Sequence, residues 1–287
     1  MIDMNLITSA ILDGLAYSML LFLIASGFSI IFGLMGILNF AHGAFFMIGA
    51  YIAVTFFEIT ENFIVALVSA ALFGFMIGLI IERLTLRRVH GNPIAQIMLT
   101  LGYLLLFSQL VLLIWGRTPK IFYVPYISGS IVIYGIRISV YRSFLVFLGF
   151  IIAFSTYLIL TRTKIGITVQ AGSEDIEMVE ALGINVKRVF TFTFGFGALL
   201  AAFGGAAAVP WLAATPQMGS TWMFTSLVVT VVGGLGSFKG SFYGSLIVGM
   251  LHGLSEYFFP QLTFVIDFLV MAVVLLIRKE GLLGGGK

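Results

Sequence analysis

Apolar residues fill this chain in long unbroken runs, and short polar stretches mark where the runs end. A helix needs about 20 mainly apolar residues to cross hydrocarbon. On that rule the pattern predicts spans near residues 8–32, 37–57, 63–81, 94–115, 143–161, 190–213, 241–259 and 262–278. A shorter apolar piece, 222–235, reads either as a ninth span or as a re-entrant half-helix that enters and leaves on one side. The runs are continuous rather than alternating, which argues against the strands of a membrane barrel. The pattern therefore predicts an all-α integral membrane protein, a polytopic helical bundle of eight or nine segments forming a single domain over residues 1–287.

Two loops stand out between the runs. The first, 116–142, carries β-branched and aromatic residues around Ser128–Ser130, which suit either a small hairpin lying on the bundle or an irregular lid. The second, 162–189, is the only strongly polar segment. Within it "SEDIEMVEALGI" has the marks of a short helix: Ser173 as N-cap, Glu174, Asp175 and Glu177 in the first turn, and Gly183 where a C-terminal glycine is expected. Its apolar residues invite either a partner surface or packing on the chain's own bundle.

Charge gives the orientation. Arg83, Arg87, Arg88, Arg162, Lys164, Lys187, Arg188, Lys239, Arg278, Lys279 and Lys287 would share one side, against Arg117, Lys120, Arg137 and Arg142 on the other. The richer side is expected to be cytoplasmic, with the C-terminus and the 162–189 loop inside and the 116–142 loop outside. If all nine segments cross, the N-terminus lies outside. The opening "MIDMN" is acidic rather than basic, so no cleavable signal peptide is expected.

Composition agrees and narrows the function classes. Hydrophobic residues make up 60% of the 287 residues and charged residues 9%, with mean hydropathy +1.14. Soluble domains are about a quarter charged. The scattered cations form no basic stripe, so nucleic acid is not an expected partner. With no cysteines there is no thiolate metal site, and His42, His90 and His252 are too dispersed to hold a metal. "GGLGSFKGS" resembles a phosphate loop superficially, but its lysine precedes the glycine and no strand leads in. No nucleophile–base constellation appears, so catalytic residues are not expected. Glu256 and Asp267 fall near the outer ends of the last two spans, where they are expected to reach water, and His252 could pair with Glu256 one turn on. Spans one to six carry essentially no carboxylate near their middles, which argues against proton-coupled transport.

"EDIEMVEALGINVKRVFTFTFGFGALLAAFGG", "GLAYSMLLFLIASGFSIIFGLMGILNFAHGAFFMIGAYIA" and "VVGGLGSFKGSFYGSLIVGMLHGLSEYF" resemble, in collinear order, the signature blocks of permease subunits in branched-chain amino acid ABC importers. The ending "LLIRKEGLLG" is similar to that family's closing motif, with Lys279 where proline is usual. The resemblance implies a permease in a prokaryotic inner membrane, pairing with a second homologous permease subunit. Two cytosolic ATPase subunits carrying ATP and Mg would dock below, and an extracytoplasmic substrate-binding protein would deliver cargo. No cofactor is expected on this chain. Glu180, Ala181 and Gly183 match the Glu-Ala-x-Gly core of the ATPase-coupling loop.

Asn39 and His42, three apart on one helix face, interrupt an apolar run beside Gly43. They read either as part of a discontinuous segment near the translocation pathway or as polar groups bonding helices together. The cargo would be a branched-chain or other hydrophobic amino acid; urea, a short amide or another small polar solute is the alternative. A stand-alone channel or secondary carrier is the rival of a different class.

Overall fold

In lipid the backbone can bond only to itself, so apolar runs fold as helices. The computed structural model describes residues 4–133 and 136–284; Lys287 and the C-terminus lie outside the described residues. The helices are α1 (Met4–Met35), α2 (Ala41–Thr60), α3 (Phe63–Leu84), α4 (Pro93–Trp115), α5 (Val140–Arg162), α6 (Lys164–Glu174), α7 (Ile176–Ala181), α8 (Val186–Leu212), α9 (Met218–Gly233), α10 (Phe238–Phe258) and α11 (Thr263–Ile277). Their starts follow from side-chain caps. Asn62, Asn92, Ser139, Thr163, Asn185 and Ser237 each accept a hydrogen bond from a backbone N–H two or three residues on.

Six helices, α1 to α5 and α8, are long and apolar enough to cross a membrane alone, which makes this a multi-pass membrane protein. α9 and α10 pass that test only as a pair bent by 113° at their break, so by length and composition alone up to seven spans qualify among the described residues. Eight or nine separate segments were expected. The difference lies in the last third of the chain: α9 and α11 have only 16 and 15 residues, and α10 is diluted by glycine, serine, Lys239 and Glu256. The apolar piece 222–235 falls mainly within α9, the first arm of the bent pair.

The bundle is laterally uneven. α1, α2 and α8 are its interior, with Phe22, Phe45, Phe46, Tyr51 and Phe194 fully buried, whereas α4 and α5 expose Ile94, Met98, Leu113, Phe147 and Phe154. α8 reaches the middle because its sequence from Gly195 to Ala208 is mostly glycine and alanine, which lets backbones approach closely. A β-carbon on Gly49 would collide with the Ala202 backbone, and one on Gly205 with the Phe46 carbonyl oxygen. The Gly27 and Gly197 backbones meet likewise, joining α1 to α8.

One end of the bundle carries strands β1 (Ser130–Ile133) and β2 (Ile136–Ser139), paired antiparallel. The Arg137 N–H donates to Asn5 Oδ1 at 3.3 Å, laying the hairpin against the start of α1. Just below, Asp13 is buried and pairs with Arg142, and it accepts a 2.6 Å hydrogen bond from the Tyr257 hydroxyl. The Arg142 guanidinium also lies 5.2 Å from the Trp211 ring. This cluster ties α1, α5, α8 and α10 together at that end. α6, α7 and the α9–α10 turn occupy the opposite end, where Gly172 abuts Leu34 and Gly236 abuts Gly33.

These contacts are steric, which makes them testable. Gly49→Leu should abolish the monodisperse peak of detergent-purified protein in size-exclusion chromatography. Gly102→Leu, at a helix position where a β-carbon meets nothing within 4 Å, should leave it intact.

Candidate functional site

The chain leaves α1 at Gly36, whose φ of +64° suits glycine and turns the backbone away from the helix axis. Residues 36–39 then run without regular structure back into the bundle, and α2 begins at Ala41. Asn39, one residue before the N-cap Phe40, braces this start: its Oδ1 accepts from the Ala41 N–H at 3.2 Å and its carbonyl from the His42 N–H at 3.1 Å. His42 Nε2 lies 2.8 Å from the Ile24 carbonyl oxygen. A carbonyl only accepts, so Nε2 carries the proton and Nδ1 does not when the ring is neutral. Both side chains are completely buried, with the rings of Phe28 and Phe45 edge-on to the imidazole. Asn39 Nδ2 and His42 Nδ1 have no hydrogen-bond partner among the described residues.

Gly43 completes the junction. A β-carbon there would strike the Gly219 carbonyl oxygen and Met223, so the first turn of α2 lies directly on the first turn of α9. Phe46 and Trp222 stack beside it with ring centroids 4.3 Å apart. A β-carbon on Gly219 would also lie 3.3 Å from Leu104, the twelfth of the 23 residues of α4. Two helices thus begin at half the depth of a full-length spanning neighbour. Asn39, His42 and Gly43 come together there, but the two polar side chains face packed protein, and neither lines the 310 Å³ or the 190 Å³ cavity at the α6–α7 end.

At that end, Ser173 does not cap the short helix. α6 extends through Glu174, placing Ser173 inside it with Oγ donating to the Gln170 carbonyl at 2.7 Å. Asp175 is the N-cap of α7, and its Oδ1 accepts from the Met178 N–H at 2.9 Å. Gly183, at φ +78°, closes the helix. Its N–H reaches the Glu180 carbonyl at 2.9 Å and the Ile184 N–H reaches the Val179 carbonyl at 3.4 Å, the paired bonds of a Schellman turn. Val179 is buried among Leu34, Leu160, Val186 and Phe190, while Met178 and Leu182 are 63% and 73% exposed. Glu180, Ala181 and Gly183 are exposed on the same short element. α7 therefore has one face anchored in the bundle and another presented outward.

Beside α7 lies a group that sequence reasoning missed. Glu82, at the end of α3, is 1% exposed and takes hydrogen bonds from Thr191 Oγ1 at 2.5 Å and Arg87 Nη2 at 3.2 Å. Arg87 also donates to Thr191 Oγ1 at 2.6 Å and the Lys187 carbonyl at 3.3 Å, clasping α3 to α8. Glu180, Glu82, Arg87 and Lys187 line the 190 Å³ cavity together. The one available signal was the Glu-x₄-Arg spacing at a helix end. Asp13 was missed too, since its partners Arg142 and Tyr257 are remote in sequence. His252 pairs with Asp267 at 3.1 Å rather than with Glu256, and Asp267 is buried instead of reaching water. Tyr17 stacks over the same imidazole at 4.2 Å.

Apolar helices around two mid-depth helix starts, with an outward-facing helical arm at one end, define a polytopic membrane bundle with a surface for a partner at one end. Residues 10–277 match the family model for the branched-chain amino acid transport system permease component, and the chain belongs to that family. It is 28% identical to the high-affinity branched-chain amino acid transport system permease protein BraD of Pseudomonas aeruginosa, over 96% of this chain and 94% of that one. It is 27% identical to the permease protein LivH of the corresponding system of Escherichia coli, over 91% of this chain and 90% of that one. No solved structure matches the chain.

Arg87→Met should strand the buried Glu82 charge and destabilise the protein by about 3 kcal/mol. The double variant Glu82→Gln/Arg87→Met should recover most of that loss. Thermal unfolding of the purified protein, followed in detergent, measures both.

Proposed function

We propose that this protein is one of two permease subunits of an ATP-driven importer for branched-chain and similar hydrophobic amino acids. The observation that carries the reading is the α7 arm, set in a chain whose relatives over nearly their whole length are named for branched-chain amino acid transport. In this reading the second permease is a homologous chain, two cytosolic ATPases bring ATP and Mg, and an external binding protein delivers the cargo. This chain contributes no catalytic residue and no cofactor.

The same reading gives the finer topology. α10 runs antiparallel along α1, with Gly236 at Gly33 and Gly253 at Gly14, a path suited to a full crossing. α11 extends from the Asp267–His252 pair to the turn where the Leu282 and Leu283 N–H groups bond the Val232 and Gly233 carbonyls at 2.9 Å. Counting α9, α10 and α11 gives nine segments, with the N-terminus and the 116–142 loop outside and the C-terminus and the 162–189 loop in the cytosol. The cation excess at the α6–α7 end supports that direction.

The chain's own part in the cycle follows from α7. An ATPase seats the exposed face formed by Met178, Leu182 and the Glu180–Gly183 turn. Val179 passes the displacement to Leu34 on α1 and Val186 and Phe190 on α8, the helices against which α2 packs. The rigid Schellman turn keeps the push from being absorbed by fraying at the helix end.

In proteoliposomes holding this chain with its partner permease and ATPases, Gly183→Pro and Glu180→Lys should each cut ATP-driven leucine uptake at least about tenfold without reducing inserted protein. Normal uptake in both variants would remove α7 from the coupling route. Uptake by this chain alone, driven by an ion gradient, would overturn the importer reading itself.

A further inference from the structure

We propose that the outward face of α9, formed by Gln217, Ser220, Thr221 and Phe224, is a wall of the solute passage, closed on its other side by the second permease subunit. The inference rests on the permease reading and adds which surface of this chain the cargo meets. The four residues follow i, i+3, i+4, i+7 spacing and are all exposed, while Gly219, Trp222, Met223 and Ser226 on the opposite face are buried against α1 and α2.

Depth is what makes this face unusual. Gly219 sits against the midpoint of α4, so Ser220 and Thr221 stand where hydrocarbon surrounds the rest of the bundle. The outward faces of α3 and α5 at such positions carry leucine, isoleucine, valine, methionine and phenylalanine, and on α4 Gln109 is the one exposed polar side chain in the helix interior, with Gly102 the one exposed glycine. Polar side chains inside membranes face a protein interior or a water-filled cavity. Among the described residues nothing covers α9 on that side, so the cavity requires a second chain.

The chemistry suits a small amphipathic zwitterion. Ser220 and Thr221 donate their hydroxyl protons to the Gln217 carbonyl, at 2.9 and 3.3 Å, which leaves oxygen lone pairs outward to accept from an ammonium group. Gln217 makes no side-chain capping bond, so its amide is free to donate to a carboxylate. The Phe224 ring, one turn below Ser220, offers an apolar patch to an alkyl side chain.

The chain has no cysteine, so single cysteines report cleanly. Ser220→Cys and Thr221→Cys, with Met98→Cys and Phe154→Cys as lipid-facing controls, are placed in the complete transporter in proteoliposomes. Each is treated with a membrane-impermeant cationic thiosulfonate, which needs a hydrated thiolate to react. The two α9 positions should react at least about tenfold faster than the controls, and leucine uptake should fall as they react. Rates equal to the controls, with normal uptake of leucine before treatment, would overturn the passage and leave the permease reading standing. Fast reaction in a complex that never moves leucine would uphold the passage and overturn the cargo.

Discussion

Everything in this molecule is constrained by the need to satisfy backbone polar groups where no water reaches them. Two helices begin at mid-depth, and each beginning frees N–H groups that hydrocarbon cannot serve. At α2 the solution is local: Asn39 supplies both a side-chain and a carbonyl acceptor, and Gly36 permits the turn that brings Asn39 there. His42 anchors the same turn to α1 by bonding Ile24. At α9 the Met218 N–H bonds the Thr215 carbonyl at 3.0 Å, and Gly43 and Gly219 let the two first turns touch backbone to backbone. A side chain at either glycine would separate the starts and open the junction.

Apart from the His42–Ile24 bond at the mid-depth turn, the charged ties sit at the two ends of the bundle and the middle is held largely by shape. Asp13 with Arg142 and Tyr257 pins the hairpin end, and Glu82 with Arg87 and Thr191 pins α3 to α8 at the other. Between them, α8 meets α1, α2 and α3 through glycine and alanine, with no side-chain hydrogen bond needed for the close approach. Contacts of this kind are specific in distance but smooth along the axis. Under the proposed coupling, a displacement entering at Val179 would travel through packed backbone rather than through bonds that must break.

Much of the helical framework was legible in the apolar runs. α3, α4, α5 and α8 begin and end within about four residues of where the pattern placed them, since each is bounded by a polar cap in sequence. The start of α2 was not legible: Ile37 and Leu38 are as apolar as the helix that follows, so composition cannot show that they are non-helical. Burial of Asp13, Glu82 and Asp267 was invisible for a different reason. Asp13 and Asp267 meet partners remote in sequence, Glu82 is covered by Thr191 of α8 as well as by nearby Arg87, and a carboxylate at a span end looks like one facing water. At α7 the error was one of competition: Ser173 and Asp175 both suit a cap, and the length of α6 decided between them.

The bent pair α9–α10 unites these features. A helix of full length in place of α9 would carry its polar first turns to the surface and leave nothing at mid-depth. Sixteen residues, followed by the turn at Gly234 and Gly236, both at positive φ, keep the start of α9 buried among the other helices on one side and open on the other. Lengthening α9 would need a longer descent from Ala214, which is fixed to Lys120 by paired backbone bonds of 2.7 and 2.9 Å. The depth at which Ser220 and Thr221 stand is thus set from both ends, by a strand-like bridge above and a glycine turn below.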